Sequence, residues 1–316
     1  MVRNRISERE IETQGVDVRR TLAYRSLALP FVLVALLCGG CSVIDGPVLD
    51  PKGPIALAER NLLFKAIAIM MIVIIPVFLM AAFFTRHFRG TNRKARYTPN
   101  FDFYWPAEIV VWSIPAAIVI WLGVHLWANT YKLDPYTEID PSVKPLQVQA
   151  IAQDWKWLFV YPEHDIAVVN ELAMPVGTPV SITITSDTVM NSLVIPALGG
   201  QIYAMAGMQT RLNLLADETG TFWGRNVQYS GTGFANQQFQ THAQSKEDFD
   251  AWLEKAKQSR KALDAATYES LAKPSEKVPV TYYSGVEPNL FDSIIAKYAH
   301  NDAMLTPSKK KPEPAE

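Results

Sequence analysis

The sequence has few cysteines, almost no net charge and no paired histidines. Its two cysteines, Cys38 and Cys41, both lie near the N-terminus, so the rest of the chain can form no internal disulfide and offers no thiolate to a metal. Its 30 basic and 31 acidic residues leave a net charge of -1, which excludes broad attraction to nucleic acid. The five histidines are scattered, with no pair at ligand spacing, so metal binding by imidazole is not expected.

Two long apolar runs dominate the first half of the chain. They cover about 62–84 and 106–131, and each is long enough as a helix to cross about 30 Å of hydrocarbon. The sequence therefore predicts transmembrane helix 1 and transmembrane helix 2 at these positions. Pro76 and Pro115 interrupt the two runs and predict kinks, which a membrane helix tolerates when neighbouring groups satisfy the freed backbone atoms.

The connector between the runs, 85–105, sets the orientation of this hairpin. It has no acid before Asp102 and five basic residues before it, namely Arg86, Arg89, Arg93, Lys94 and Arg96. The flanking segments outside the hairpin mix both signs of charge. The positive-inside rule therefore predicts a cytoplasmic connector, with segment 41–61 and everything after residue 132 in the periplasm.

The N-terminal segment, 1–40, has the features of a secretory signal. Arginines precede a short apolar stretch, 27–37, which small residues follow. Glycines directly before Cys41 indicate a bacterial lipoprotein signal that is removed, leaving Cys41 as the acylated first residue. Two alternatives stay open: an uncleaved third membrane segment, and a misassigned start site that would explain the long charged lead.

The segment from 132 to 243 changes to short runs with the alternation of β-strands, separated by Gly and Pro. Many short strands of this kind predict an antiparallel β-sandwich or barrel. The predicted strands are 146–152, 155–161, 166–170, 180–185, 192–195, 201–205, 210–215, 221–229 and 237–242.

The segment 244–300 is predicted to be a helical extension with one return strand. Ser245 can cap a helix in which Phe249, Trp252, Leu253 and Ala256 share one face. A second helix is predicted over 263–271, a strand over 278–283 and a third helix over 290–298. The tail, 301–316, is rich in Pro, Lys and Glu and is predicted to be disordered.

Several motifs in the β-rich segment carry a family resemblance. They are Asp154-Trp155-Lys156-Trp157, Val189-Met190-Asn191-Ser192 and the stretch from Gln201 to Arg211. With the lipoprotein signal and the hairpin, they make the chain resemble subunit II of the haem-copper terminal oxidases. The resemblance implies a two-helix transmembrane hairpin followed by a cupredoxin-like antiparallel β-sandwich or barrel with added C-terminal helices, in the bacterial inner membrane.

The resemblance also identifies where copper-bearing members of the family hold their metal. The positions of the first His, the two Cys, the second His and the Met are occupied here by Asn191, Asn226, Ser230, Phe234 and Gln237, and the position of the Glu by Gln228. No thiolate or imidazole remains, and copper in such a site needs both. The chain therefore resembles the copper-free branch, the cytochrome o type ubiquinol oxidases.

Membership of that branch would make the chain a non-redox subunit of a proton-pumping quinol oxidase. No cofactor and no metal are expected in this chain, because the resemblance implies that the haems, copper and ubiquinol belong to subunit I. Subunits I, III and IV, and the lipid bilayer, are the implied partners. Two other functions stay open: a copper-bearing cytochrome c oxidase subunit II, and a membrane-anchored binding or sensor lipoprotein with a cupredoxin shell.

Four residues are candidates for a direct role or a contact. Glu108 lies at the cytoplasmic start of the second span, where an acid is either a proton-entry residue or a wet interfacial residue that favours the helix dipole. Trp155 and Trp157 are predicted to pack in the sheet or to form an interface with the catalytic subunit. Arg211 is predicted to contact a partner subunit, or a haem propionate indirectly.

Overall fold

The computed structural model describes residues 46–95, 98 and 102–305, without the side chains of 299–305. The predicted signal segment 1–40, Cys41 and residues 306–316 of the predicted tail lie outside this part of the chain. The chain divides into two units between residues 50 and 51. All elements named below belong to the second unit.

Two long helices form the hairpin, and both are long and apolar enough to cross a membrane. Helix α1 spans Pro54–His87 and helix α2 spans Trp105–Lys132, with Pro76 and Pro115 inside them. Helix α1 begins earlier than the predicted residue 62, since Pro54 suits the first helical turn and the residues after it pack on the β-domain. Its 34 residues reach about 51 Å, well beyond the hydrocarbon core.

In the described part of the chain, eleven strands form two packed sheets. The strands are β1 Leu146–Gln153, β2 Lys156–Tyr161, β3 Ile166–Val169, β4 Glu171–Pro175, β5 Val180–Ser186, β6 Asn191–Val194, β7 Gln201–Ala204, β8 Thr210–Leu214, β9 Gly220–Asn226, β10 Gln238–Gln244 and β11 Thr281–Ser284. The strand orders are β11-β3-β2-β1-β5-β8 and β4-β10-β9-β6-β7. Aromatic rings from both sheets meet in the core, with Phe159 and Phe239 centred 4.9 Å apart. The predicted sandwich with C-terminal helices is confirmed.

The expectation of a wholly antiparallel sandwich is wrong in two places. Strand β1 pairs in parallel with β5, and β10 pairs in parallel with β4. Both parallel pairs arise because the chain moves from one sheet to the other between the paired strands, so it returns in the same direction. Antiparallel hairpins cannot do this, since they keep successive strands in one sheet.

Three other differences from the predicted strands have a clear structural cause. Strand β4 was missed, because Asn170 (φ 58°) makes a corner that moves the chain from one sheet to the other. Trp155 (φ 63°) lies in the turn before β2 and is not part of the strand. Strand β9 ends at Asn226, earlier than the predicted residue 229, because the following residues form the loop described below.

The C-terminal region adds three helices, α3 Lys246–Lys257, α4 Ala265–Ala272 and α5 Leu290–Leu305. Ser245 caps α3 as predicted, since its side chain accepts a hydrogen bond from the backbone N–H of Asp248. Helix α5 continues through residues 301–305, which corrects the disorder predicted there. Helices α4 and α5 place Tyr268 and Phe291 in a second buried cluster on the outer face of the six-stranded sheet.

Candidate functional site

Four of the six residues at the predicted copper-ligand positions meet in one place. Asn191 begins β6, Asn226 ends β9, and Ser230 and Gln237 lie in the connection from β9 to β10. The side-chain Nδ2 of Asn226 is 2.6 Å from Oδ1 of Asn191, 3.1 Å from Oγ of Ser230 and 2.9 Å from Oε1 of Gln237. We call these four residues the amide cluster.

Asn226 is the centre of the amide cluster. Its side-chain Oδ1 accepts hydrogen bonds from the backbone N–H groups of Ser192 and Gln228, both at 2.9 Å. The side chain of Asn191 donates in turn to the carbonyl of Val189 at 2.8 Å. Because Asn226 is 3% exposed and both ends of its amide are bonded, the cluster satisfies its own buried polar groups.

The residues of the amide cluster do not fit a copper centre. An amide nitrogen has no free lone pair, the carbonyl oxygens already accept hydrogen bonds, and copper of this type needs thiolate and imidazole. Phe234 lies outside the cluster, with its ring centred 5.7 Å from that of Tyr229. Gln228 joins only through its backbone N–H. Across the described residues, no group of three or more His, Cys, Asp or Glu could hold a metal ion.

The two tryptophans have different environments. Trp155 is half-buried, and its indole N–H donates to the carbonyl of Ser230 at 3.1 Å. The loop lies so close that a Cβ on Gly233 would stand 2.3 Å from the indole. Trp157 is 0% exposed and its ring is centred 6.0 Å from that of Phe239. Trp157 therefore packs in the sheet, which is one of its two predicted roles, and offers no surface for the other role, an interface with a partner.

The other two predicted residues lie apart from the amide cluster. Arg211 is exposed on β8, opposite Thr183 of β5. Glu108 lies in the first turn of α2, where Oε2 of its carboxylate accepts a hydrogen bond from the indole of Trp112 at 3.2 Å. Glu108 is therefore held on the surface of its own helix, one turn before Trp112.

The junction between the hairpin and the β-domain was missed by sequence reasoning. The backbone N–H of Lys52 donates to the carbonyl of Ala197 at 2.7 Å, and its carbonyl accepts from Asp217 at 2.9 Å. Ala56, in the first turn of α1, is 4% exposed. After α2, the side chain of Asn213 donates to the carbonyl of Pro135 at 3.1 Å. The chain is therefore hydrogen-bonded to the β-domain both before helix α1 and after helix α2.

Comparison with known proteins identifies the family. The family described as "Cytochrome C oxidase subunit II, periplasmic domain" matches residues 123–239, and "COX Aromatic Rich Motif" matches residues 257–302. The "Cytochrome bo(3) ubiquinol oxidase subunit 2" of Pseudomonas putida is 49% identical over 85% of this chain and 85% of its own length. The "Ubiquinol oxidase subunit 2" of Acetobacter aceti is 46% identical over 86% and 87%. The chain belongs to the ubiquinol oxidase subunit II family.

The "Quinol oxidase subunit 2" of Bacillus subtilis is also similar, at 37% identity over 82% of this chain and 80% of its own length. This subunit II is of the copper-free quinol oxidase kind and is a component of a multi-subunit haem-copper oxidase complex. Its β-domain is the periplasmic domain of the family, and the expected fold and location are confirmed. Family membership favours neither the copper-bearing alternative nor the sensor alternative.

The C-terminal region of this subunit II, from helix α3 onward, is attached to the sandwich through two buried carboxylates. Oε1 of Glu171 accepts from the indole of Trp252 at 2.6 Å and from the hydroxyl of Tyr282 at 2.7 Å. Asp187 accepts from the hydroxyl of Tyr268 at 2.8 Å and from Nζ of Lys297 at 2.7 Å. Burial and the nearby Asp187 carboxylate both raise the pKa of Tyr268, so this phenol stays protonated.

Lys156 is a third buried attachment point in this subunit. The residue is 0% exposed, and its Nζ donates to the carbonyl of Lys273 and to Oγ of Ser275, both at 2.9 Å. Burial disfavours the charged ammonium and lowers its pKa to about 8, against a smaller opposing effect of Asp154. The sequence motif gave no sign of this, because Lys156 alternates with apolar residues as a solvent-facing strand residue would.

Proposed function

We propose that this chain is the copper-free structural subunit of a proton-pumping oxidase that passes electrons from ubiquinol to O2. In this proposal the haems, the copper and the quinol site belong to subunit I, and subunits III and IV complete the complex. The observation that best supports this proposal is the amide cluster. Asn226 and its partners occupy the copper-ligand positions with groups that cannot transfer electrons, so the β-domain supports the complex without a redox step.

The hairpin is the proposed docking surface on subunit I. Its helices carry large apolar side chains over most of their length, including Phe78 at 71% exposure and Trp112 at 73%. A bilayer or a neighbouring subunit can cover such surfaces. Because the β-domain is bonded to the chain at Lys52 and at Pro135, docking of the hairpin would also fix the domain above the catalytic subunit.

Purification of the complex through an affinity tag on this chain tests the proposed function. We expect a haem protein to co-purify, with copper in the complex and none in this chain when it is expressed alone in full length. Metal analysis and absorption spectra give both results. A purple, stoichiometric dinuclear copper centre in the chain alone would contradict the copper-free role, and the lack of any associated haem protein would contradict the structural one.

Glu108 is the proposed proton-entry residue. The supporting features are its place in the first turn of α2, at the end of the span that carries the basic connector, and its half-buried side chain. An ionisable side chain at this depth in the membrane costs free energy, and such residues commonly have a functional role. The hydrogen bond from Trp112 holds the carboxylate in one orientation. Interface roles for Trp155 and Arg211 are proposed on exposure alone, since both present side-chain surface outside the core.

Cys41 is the proposed lipid attachment site. The glycines directly before it and the apolar stretch 27–37 support a lipoprotein signal. Two membrane spans already hold the chain far more strongly than acyl chains do. The lipid would therefore contribute little to anchoring the complex.

A further inference from the structure

A basic cavity lies at the cytoplasmic end of helix α1. It has a volume of about 440 Å³ and is lined by Phe83, Arg86, His87, Arg89, Thr91 and Asn92. The six lining residues include two guanidinium groups and no carboxylate. The function proposed above does not use this cavity, and the inference below holds whether or not that function is correct.

The turn that follows α1 builds the cavity. The side chain of Asn92 donates to the carbonyl of His87 at 2.6 Å, and its backbone N–H donates to the carbonyl of Arg89 at 2.9 Å. These bonds fold the chain back against the last turn of the helix. The carbonyl of His87 lies at the negative end of the helix dipole. Because this carbonyl accepts the hydrogen bond from Asn92, it is not a bare acceptor that would oppose an anion in the cavity.

An aromatic wall, formed by helix α1, lines part of the cavity. The rings of Phe83 and His87 are stacked with their centroids 5.3 Å apart, and Phe83 is 58% exposed. Arg86 and Arg89 also line the cavity, and both are exposed. The lining therefore combines an aromatic surface with two cationic groups, as at the boundary between an acyl chain and a charged headgroup.

The depth of the cavity in the bilayer supports the same ligand. The apolar run 62–84 is about 34 Å long as a helix, so Phe83 lies near the edge of the hydrocarbon and the two arginines lie at headgroup level. Basic pockets at the cytoplasmic ends of membrane helices attract anionic headgroups. A free phosphate ion would meet the same two guanidinium groups but would gain nothing from the aromatic wall.

We propose that this cavity binds the headgroup of one anionic phospholipid of the cytoplasmic leaflet. Arg86 and Arg89 contact the phosphate, and Phe83 packs against the start of an acyl chain. Arginine suits this role because its planar fork can donate two hydrogen bonds to one phosphate. Binding of the lipid would fill the gap between the end of α1 and the connector.

The test uses native mass spectrometry of the purified oxidase complex in detergent, titrated with phosphatidylglycerol. Arg86→Gln/Arg89→Gln removes both guanidinium groups, and we expect affinity for one bound phosphatidylglycerol to fall about 30-fold. Arg93→Gln/Lys94→Gln is the matched control, because it removes the same charge from the same connector but changes no residue that lines the cavity. We expect that control to change the affinity less than threefold.

Three results would overturn the proposal. Equal losses in the two double variants would show that the connector's overall charge, and not the cavity, attracts the lipid. Equal binding of phosphatidylcholine would show that the site does not select for the negative charge of the headgroup. Displacement of phosphatidylglycerol by millimolar inorganic phosphate would show a site for phosphate without the acyl chain. Arg86→Lys/Arg89→Lys keeps the charge, and partial recovery of affinity there supports the proposed contact.

Discussion

The side-chain nitrogen of Asn226 lies 2.6 Å from the side-chain oxygen of Asn191 and joins the end of β9 to the start of β6. Both residues lie at predicted copper-ligand positions. The connection between them is a neutral hydrogen bond within the amide cluster. Uncharged side chains therefore hold the loops together at this end of the sandwich.

Replacing Asn226 by Leu should destabilise the β-domain. The change removes the buried hydrogen bonds to Oδ1 of Asn191 and from the backbone N–H of Ser192, at a cost of about 2 kcal/mol or more. We expect the apparent melting temperature of the full chain in detergent to fall by about 5 °C. Asn236→Ala is the control, since it removes an exposed amide that bonds Glu276. Equal shifts in both variants would show that the amide cluster has no special role.

Gly199 should be needed for the junction between α1 and the β-domain. Its φ is +84°, and a Cβ there would stand 2.6 Å from the backbone nitrogen of Ala56. Gly177 is the control, because its φ is +71° and nothing lies within 4 Å of the same position. Gly177→Ala should cost about 1 kcal/mol from the backbone conformation alone.

Gly199→Ala should cost more than that control and should open the junction. Trypsin cleavage after Lys52 measures the opening, since both backbone groups of Lys52 are bonded to the β-domain in the closed junction. We expect Gly199→Ala to be cleaved faster than Gly177→Ala. The same cleavage rate in both would mean that strain at the glycine, and not the contact with Ala56, sets stability.

Lys156 should make stability rise with pH above neutrality. Its pKa is lowered to about 8 in the folded protein, mainly by burial, from its ordinary value of 10.5. Between these two values the unfolded chain binds the proton and the folded protein does not, so stability increases as pH rises. The gain is at most about 3 kcal/mol. Unfolding of wild type and Lys156→Met from pH 7 to pH 11 measures it, and a constant difference between them would disprove the effect.

Glu108→Ala should slow quinol oxidation and proton uptake together if Glu108 is the entry residue. Glu108→Gln should be equally slow, because its amide keeps the size and the bond from Trp112 but cannot take up and release a proton. Trp112→Phe is the control that removes the bond and keeps the acid, and it should retain most of the turnover. Unchanged turnover and proton uptake in Glu108→Ala would refute the role.

Cys41→Ser should remove the lipid and leave the assembled complex intact. The two spans provide far more membrane affinity than acyl chains, so the yield of complex should not change. Mass spectrometry of the mature N-terminus gives the result. An unmodified residue upstream of Cys41 in the wild-type chain would refute both cleavage and acylation there.

Most of the fold could be predicted from local sequence patterns. Hydropathy alone gave both membrane helices, since length and apolar content are properties of consecutive residues. The cap at Ser245 and the buried face from Phe249 to Ala256 also followed, because capping and helical periodicity act within a few residues. Strand β4 did not follow, since Asn170 changes sheets through a backbone conformation that no hydrophobic period records.

Sequence by itself determined the hairpin, its orientation, the sandwich and the absence of thiolate and imidazole from the predicted copper-ligand positions. Tertiary structure alone decided that Asn191, Asn226, Ser230 and Gln237 bond to one another, that Trp157 is core, and that Lys52 and Ala56 attach the hairpin to the domain. The physical reason is distance along the chain. Composition and hydrophobic periodicity describe residues that are close together in the sequence. These contacts join residues that only the packed sheets bring together.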